Sequence, residues 1–538
     1  MKSPSFRPII LFLLFFLVIG IVYSPVLYFN YLYHDDATFW VKFKELGGKH
    51  IYFDICITEC RYGDALLLSL ENLFVHKVSD LKFLRFLGIL ITSCNAYLLL
   101  LQLRRLSFSE IQAFLIIPAI FFLPGFADIL SNGDYSPTIA ICLFLASWSF
   151  YRIETGKGMF LPFFSFLFAL TTYPPAAMFY WTMAGMYILF VQDRQGVTYK
   201  KTMARAMTVG LSGISIFAIA IFLTHYSLAH KTISPLYNPF VISQDWTGKL
   251  SWFFQEPLGN ALNLWNIFPK TALSILVSGF IILTLLIILL RKFNNLGQLR
   301  HLGLFIVVLF LTFLPNLAAR ENAAFYRCLI ALTSLIWLLL VWCLFQWKDI
   351  IPTVLTRWSM IALLCTIVVY AGIRTYHNVL FYRVFPSSVE WNAYKFMAHE
   401  IQLKKVDAIH VVFPYHFPVE RYDEFGTLSS DYITDIFHLI YCAFDEAGGK
   451  KQKLPAIFVS YPGDNVFYEE KEIYIKRLPD GQWLGKDLNG DGHFTKIDHS
   501  VLGETSDNKL VYFAYPFRTS KRENWYNLNL NDILSPSN

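Results

Sequence analysis

Long apolar blocks return along this chain with short Lys- and Arg-bearing links between them, and that recurrence limits the fold more than any single motif. A helix needs roughly 20 apolar residues to cross a hydrocarbon core, because backbone polar groups in lipid must be satisfied within the segment. Blocks of that order fall at 8–28, 83–103, 110–128, 137–151, 158–172, 174–191, 206–226, 271–290, 302–319, 327–346 and 353–373. Over 538 residues the chain is 55% hydrophobic and only 16% charged, which sets it outside ordinary soluble domains. The expectation is a polytopic α-helical membrane protein of about 11 transmembrane helices, with the two short runs inside 137–172 read as tilted or partial spans.

The opening stretch MKSPSFRPIILFLLFFLVIGIVYS has the charge and apolar character of a signal peptide, yet its apolar run is long and no small-x-small site follows. It reads as an uncleaved first span. Orientation follows from the basic residues, which accumulate in cytoplasmic loops. With the N-terminus inside, the inner links contain Arg104 and Arg105; Arg152 and Lys157; Arg194, Lys200, Lys201 and Arg205; Arg291, Lys292 and Arg300; and Lys348 and Arg357. The same alternation sends 29–82, 227–270 and everything after 373 to the outer face. The expected location is a bacterial cytoplasmic (inner) membrane, with a periplasmic C-terminal region.

Two classes of function recede. The formal charge of +6 is small for this length and no basic patch is interleaved with aromatics, so no nucleic-acid partner is expected. Most of the eight cysteines lie inside apolar blocks as small buried residues, and none forms a CxxC pair. Cys56 and Cys60 are expected to be free.

The outer loops are long and polar in unusual places. The first, 29–82, carries HDDATFW, FDICITECRYGD and Glu71; the second reads SPLYNPFVISQDWTGKLSWFFQEPLGNALNLWN, with aromatics spaced as in helices lying on a membrane surface. Together they form the roof of a site at the bilayer boundary. Residues 374–538 form a separate unit. Its runs VDAIHVVFPY, LPAIFVSY, EIYIKRL and LVYFAYPF are strand-like and DYITDIFHLIYCAFDEAGG reads as a helix, which makes a small α/β or α+β domain.

Within the first loop His34, Asp35 and Asp36 stand side by side. Ionised carboxylates are tolerable at the membrane edge, where water or a polar ligand reaches them. Adjacent helical residues point about 100° apart, so the two aspartates serve different targets. N-capping of a helix is the plain alternative to catalysis for this pair. His34 reads as an interfacial hydrogen-bonding residue. A second cluster, Arg320, Glu321 and Arg327, stands at an outer mouth against the usual charge bias. Guanidinium groups there suit phosphate oxygens, and a structural ion pair is the competing reading. A phosphate leaving group held by arginine, with a carboxylate that deprotonates a hydroxyl, is the set an inverting sugar transfer requires. Asp64 and Asp54 are further carboxylates for orienting the acceptor or holding a divalent ion, and no spacing decides metal dependence.

Asp134 in GDYSP and Tyr173 in TTYPPAAMFY fall near outer turns, where proline frees backbone groups beside a cavity or simply closes a turn. In DLNGDGHFTKID, Asp487, Asn489, Asp491 and Asp498 occupy positions 1, 3, 5 and 12 of a calcium loop. The strand-like flanks fit a polar β-turn loop instead, and both readings stand.

A first span followed at once by an outer Asp–Asp pair, a long first outer loop, about eleven spans, a late outer loop with arginines and an outer tail resembles the GT-C superfamily of membrane glycosyltransferases. Within it the likeness is to bacterial O-antigen serotype-converting glucosyltransferases. The resemblance covers about 8–373 and is architectural with one short motif. It implies that Asp35 or Asp36 acts as the base, that Arg320 or Arg327 binds donor phosphate, and that the donor is a polyprenyl-phosphate sugar. The acceptor implied is an envelope glycan such as lipopolysaccharide O-antigen. The sizeable tail departs from the simplest pattern. A polytopic transporter or lipid flippase for envelope glycan precursors is the alternative, and an assembly factor displaying its tail is a third reading.

Overall fold

In a computed structural model the described residues are 7–32, 36, 60–71, 73–191, 196–228, 243–267, 272–292, 296–320, 322, 324–347, 353–385, a few isolated residues between 387 and 443, and the backbone of seven short strands between 408 and 514. They divide into two compact units, Met1–Phe385 with Tyr422–Thr427, and Pro386–Arg421 with Leu428–Asn538.

The first unit is helical. Each apolar block carries a helix: α1 (Arg7–Val22), α3 (Leu81–Arg105) and α4 (Glu110–Phe121), the last continued by α5 (Pro124–Ser131); then α6 (Ser136–Glu154), α7 (Phe160–Thr172), α8 (Phe179–Phe190) and α9 (Val197–Leu228). After these come α11 (Ala272–Lys292), α12 (Leu296–Leu311), α13 (Ile330–Trp347) and α14 (Thr353–Val379). Two shorter helices, α2 (Tyr62–Glu71) and α10 (Trp246–Gln255), lie in the long loops. Among the described residues four segments are long and apolar enough to cross a membrane, Val78–Arg105, Val197–Thr224, Ile330–Trp347 and Trp358–Val384. The pair α4 and α5, bent by 63°, makes a fifth if it is one span. Arg7–Val22, Phe160–Thr172, Ala272–Ile288 and Arg300–Leu311 are shorter apolar helices, so length and composition support four or five of the expected eleven crossings among the described residues.

The bend has a local cause. Pro118 inside α4 removes a backbone donor, Leu123 is extended, and Pro124 starts α5 at a position where a missing N–H costs nothing. Carbonyls around the break need partners in a dry interior, and neighbouring side chains supply them. Trp337 Nε1 donates to Ile116 O at 3.0 Å, Trp265 Nε1 to Ala119 O at 2.8 Å, and Tyr23 Oη to Phe121 O at 2.6 Å. Thr375 Oγ1 reaches Phe122 O. At the other end of α4, Ser109 and Gln112 form a reciprocal capping box.

The last helix outruns its expected end at 373: α14 reaches Val379 and passes into a π-helical turn, Leu380–Val384. In the second unit, strands β1 (Ala408–Val412), β2 (Ala456–Ser460), β3 (Val466–Glu469), β4 (Ile473–Arg477), β5 (Trp483–Asp487), β6 (Phe494–Ile497) and β7 (Val511–Ala514) make one sheet in the order β6-β5-β4-β3-β2-β1-β7. β1 is parallel to β2 and β7, and the other pairs are antiparallel. The four expected strand runs coincide with β1, β2, β4 and β7. The expected helix at 431–449 lies outside the described residues apart from two positions.

Candidate functional site

The polar centre of the first unit gathers at the ends of α3, α5 and α6. Asp36 is fully buried, and both its oxygens are engaged. Oδ2 meets Arg85 Nη2 at 2.9 Å, while Oδ1 accepts from the backbone N–H groups of Gly133 at 2.7 Å and Asp134 at 3.0 Å. Arg85, also fully buried, donates from Nε to Ser131 O at 3.1 Å and from Nη2 to Tyr31 O at 3.1 Å. Its guanidinium carbon lies 3.8 Å from the Tyr31 ring centroid, within cation–π range. Tyr31 Oη in turn donates to Ser131 O at 2.8 Å, and burial holds its phenol well above the usual range, a neutral donor. The SNGDYSP segment folds here because α5 ends at Ser131 and α6 starts at Ser136 with Pro137 in its first turn, so the intervening amides point at a carboxylate.

A second buried ion pair adjoins the first. Arg383 Nη2 lies 2.6 Å from Asp128 Oδ1, joining the π turn after α14 to α5.

From Asp134 the polar chain continues outward. Asp134 Oδ1 accepts from Tyr135 N at 2.9 Å, and the Tyr135 ring lies 5.8 Å from the Arg61 guanidinium carbon. Arg61 pairs with buried Asp64 at 2.5 Å and stands 5.5 Å from the Tyr173 ring. Tyr173 Oη is 3.6 Å from Cys328 Sγ, and the positive charge of the neighbouring Arg327 acts on both groups. Glu71, buried on α2, accepts from Thr138 Oγ1 at 2.6 Å, and burial pushes its carboxyl up, with Asp64 adding to the rise.

The two loop helices each expose large apolar side chains and bury charged ones, and α10 buries Trp252 and Phe253 as well. On α10, Trp246, Leu250 and Phe254 are 52%, 45% and 57% exposed, whereas Lys249 is 4% exposed. Lys249 Nζ turns inward to Asn316 O at 3.4 Å and sits 4.5 Å from the Trp252 ring centroid. On α2, Tyr62, Leu66 and Leu70 face out while Asp64 and Glu71 face in. A helix in water buries its apolar stripe and exposes its charges. Large apolar side chains left exposed over buried charges are stable where the outside is lipid.

Of the residues expected from sequence, Asp36, Asp64, Asp134, Tyr173 and Arg327 therefore join one network. Arg320 is exposed. His34, Asp35, Asp54 and Glu321 lie outside the described residues. Arg85, Tyr31, Asp128, Arg383, Lys249 and Arg61 were not anticipated. Arg85 could have been found by the charge bias that drew attention to Arg320, since it is a cation at the outer end of an apolar block. Lys249 could have been found from the fourfold spacing of Trp246, Leu250 and Phe254.

Among the described residues no group of three or more His, Cys, Asp or Glu side chains is arranged to hold a metal ion. For the calcium-loop reading, the ladder between β5 and β6 pairs Lys486 with Phe494 and Trp483 with Ile497. Ile497 thus lies opposite a residue four positions from Asp487, about 13 Å along the strand at ~3.4 Å per residue. Asn489, Asp491 and Asp498 themselves lie outside the described residues.

Set against known proteins, the chain matches no family model and no curated protein. Among the described residues, the class that the helices define is that of a mostly helical protein with four, or with the bent pair five, segments fit to cross a membrane.

Proposed function

We propose that this chain is an inverting glycosyltransferase of a bacterial inner membrane, moving a sugar from a polyprenyl-phosphate donor to an envelope glycan acceptor on the outer face. The observation that carries the proposal is that α2 and α10 expose large apolar side chains while Asp64, Glu71 and Lys249 on the same helices are buried. A lipid-linked substrate needs such a site, polar within and open to the bilayer from without. In this reading the eleven helical blocks cross the membrane as broken, tilted or complete spans, and the second unit is a periplasmic domain facing the acceptor.

The roles divide by chemistry. Asp36 has both oxygens committed to Arg85 and two amides, so the base role passes to its neighbour Asp35. Asp35 takes the proton of an acceptor hydroxyl, and the hydroxyl oxygen attacks the anomeric carbon from the face opposite the phosphate. The bond from that carbon to the phosphate oxygen breaks, and its electron pair leaves with the polyprenyl phosphate. Lys249 and Arg327 meet the charge of that phosphate, with Arg61 and Tyr173 beside them.

A transporter or flippase for envelope glycan precursors is the second reading, favoured by the broken α4–α5 pair with buried charges at its end. Purified protein supplied with a panel of polyprenyl-phosphate sugars and extracted envelope glycans separates the two. The transferase reading requires label to enter the glycan in detergent, where no compartment exists. Flux across proteoliposomes with no covalent transfer overturns it.

A further inference from the structure

The last helix is fastened to the broken helix twice. Thr375 Oγ1 donates to Phe122 O at the break, and Arg383 pairs with Asp128 inside α5. These contacts are eight positions apart (383 minus 375), which in an unbroken α-helix at about 100° per residue would put them about 80° out of line. The wider π turn at Leu380–Val384 rotates less per residue and brings Arg383 back toward the face of Thr375. Such turns disturb a regular hydrogen-bond ladder and are common where a side chain must be aimed. Here the side chain aimed is a fully buried guanidinium.

The α5 helix is only eight residues long, and its far end is the scaffold of the Asp36 clamp. Ser131 O receives Arg85 and Tyr31, and the amides just beyond it receive Asp36. We infer that Arg383 is a positioning residue for the proposed transfer: through Asp128 it fixes α5, and through α5 the amides and carbonyl that hold Asp36 and Arg85. Arg383 is also three positions before the second compact unit starts at Pro386. The inference rests on the transferase reading for its catalytic part and on geometry alone for its structural part.

The test compares full-length wild type with Arg383→Met, Arg383→Lys and the doubly neutral Asp128→Asn/Arg383→Met. The single neutral variant strands a buried carboxylate and can fail to fold; the double variant removes both charges at similar volume, a change that buried pairs often tolerate. Hydrogen exchange of the peptide containing Gly133 and Asp134 is read beside turnover. The expected result in the folded double variant is exchange at that peptide about tenfold faster, with the 95–105 end of α3 unchanged. Turnover number is expected to fall about tenfold with KM altered little, and Arg383→Lys to recover part of it. Unchanged exchange at Gly133 and Asp134 in the folded double variant overturns the inference. Faster exchange with unchanged turnover overturns the catalytic part. Should wild type itself transfer no sugar, the transferase reading fails separately, and the exchange result still decides the coupling.

Discussion

Arg85 Nη2 stands 2.9 Å from Asp36 Oδ2, and neither side chain is exposed. Two residues that sequence separates by a long outer loop are thus the buried centre from which the polar network extends. Removing one member of a buried pair leaves an uncompensated charge, which costs about 3–5 kcal/mol, whereas removing both costs much less. Arg85→Met and Asp36→Asn are each expected to lose that order of stability, and the double variant less than either sum. Thermal unfolding in detergent checks this; additive losses would mean that the pair is not coupled.

Gly133 gives the clamp one of its amides in a confined place. A Cβ there would lie 2.9 Å from Leu81 Cβ and from Leu81 Cδ2, and the Cβ contact belongs to an atom that the backbone of α3 holds in place. Gly133→Ala is expected to shift the loop and destabilise the protein by about 1–3 kcal/mol, as overpacking does. Thermal unfolding beside wild type measures it, with Gly20→Ala as a control where a Cβ meets nothing within 4 Å.

The exposed apolar residues of α10 make a prediction about lipid. Trp246 is exposed on the apolar side, so brominated phospholipids are expected to quench its fluorescence, measured as the difference between wild type and Trp246→Phe. Leu250→Glu on the same face places a charge against hydrocarbon and is expected to cost about 2–3 kcal/mol. A Trp246 signal quenched by iodide in water but not by brominated lipid would contradict the arrangement.

How much of this was legible in the sequence depends on the kind of feature. Apolar blocks announce helices because lipid or core selects them residue by residue, so the positions of α3, α9, α13 and α14 could be read directly. The break between α4 and α5 could not, since Pro118 and Pro124 fall inside a continuous apolar run that reads equally as one span or as a bent pair. Asp36 was visible as an acidic residue at a membrane edge, but its commitment was not, because the partners Arg85, Gly133 and Asp134 come from distant segments. Arg383 fell in what sequence assigned to the tail, and only the π turn after Val379 reveals that it belongs to the membrane core.

Glu154 links stability to pH. Burial raises its carboxyl from 4.5 to about 7, opposed by Arg105, whose Nε lies 3.2 Å away. A carboxyl whose folded pKa is raised binds more protons folded than unfolded. Its contribution is therefore fully present below about 4.5 and lost as pH rises through about 7. Unfolding temperature is expected to fall between pH 5 and pH 8, a change of up to about 3 kcal/mol from this group, and Glu154→Gln is expected to flatten that slope. Identical pH profiles for the two proteins would show that Glu154 ionises alike in both states.

The central claim is inverting transfer with Asp35 as base and Asp36 as its fixed neighbour. The most direct measurement is the anomeric configuration, by NMR, of the sugar delivered by purified wild-type protein from a donor of known configuration, with Asp35→Asn run beside it. The account predicts the opposite anomer in the product and a loss of about 100-fold or more in rate for a folded Asp35→Asn variant. Retention of configuration, or full activity in Asp35→Asn, would contradict it.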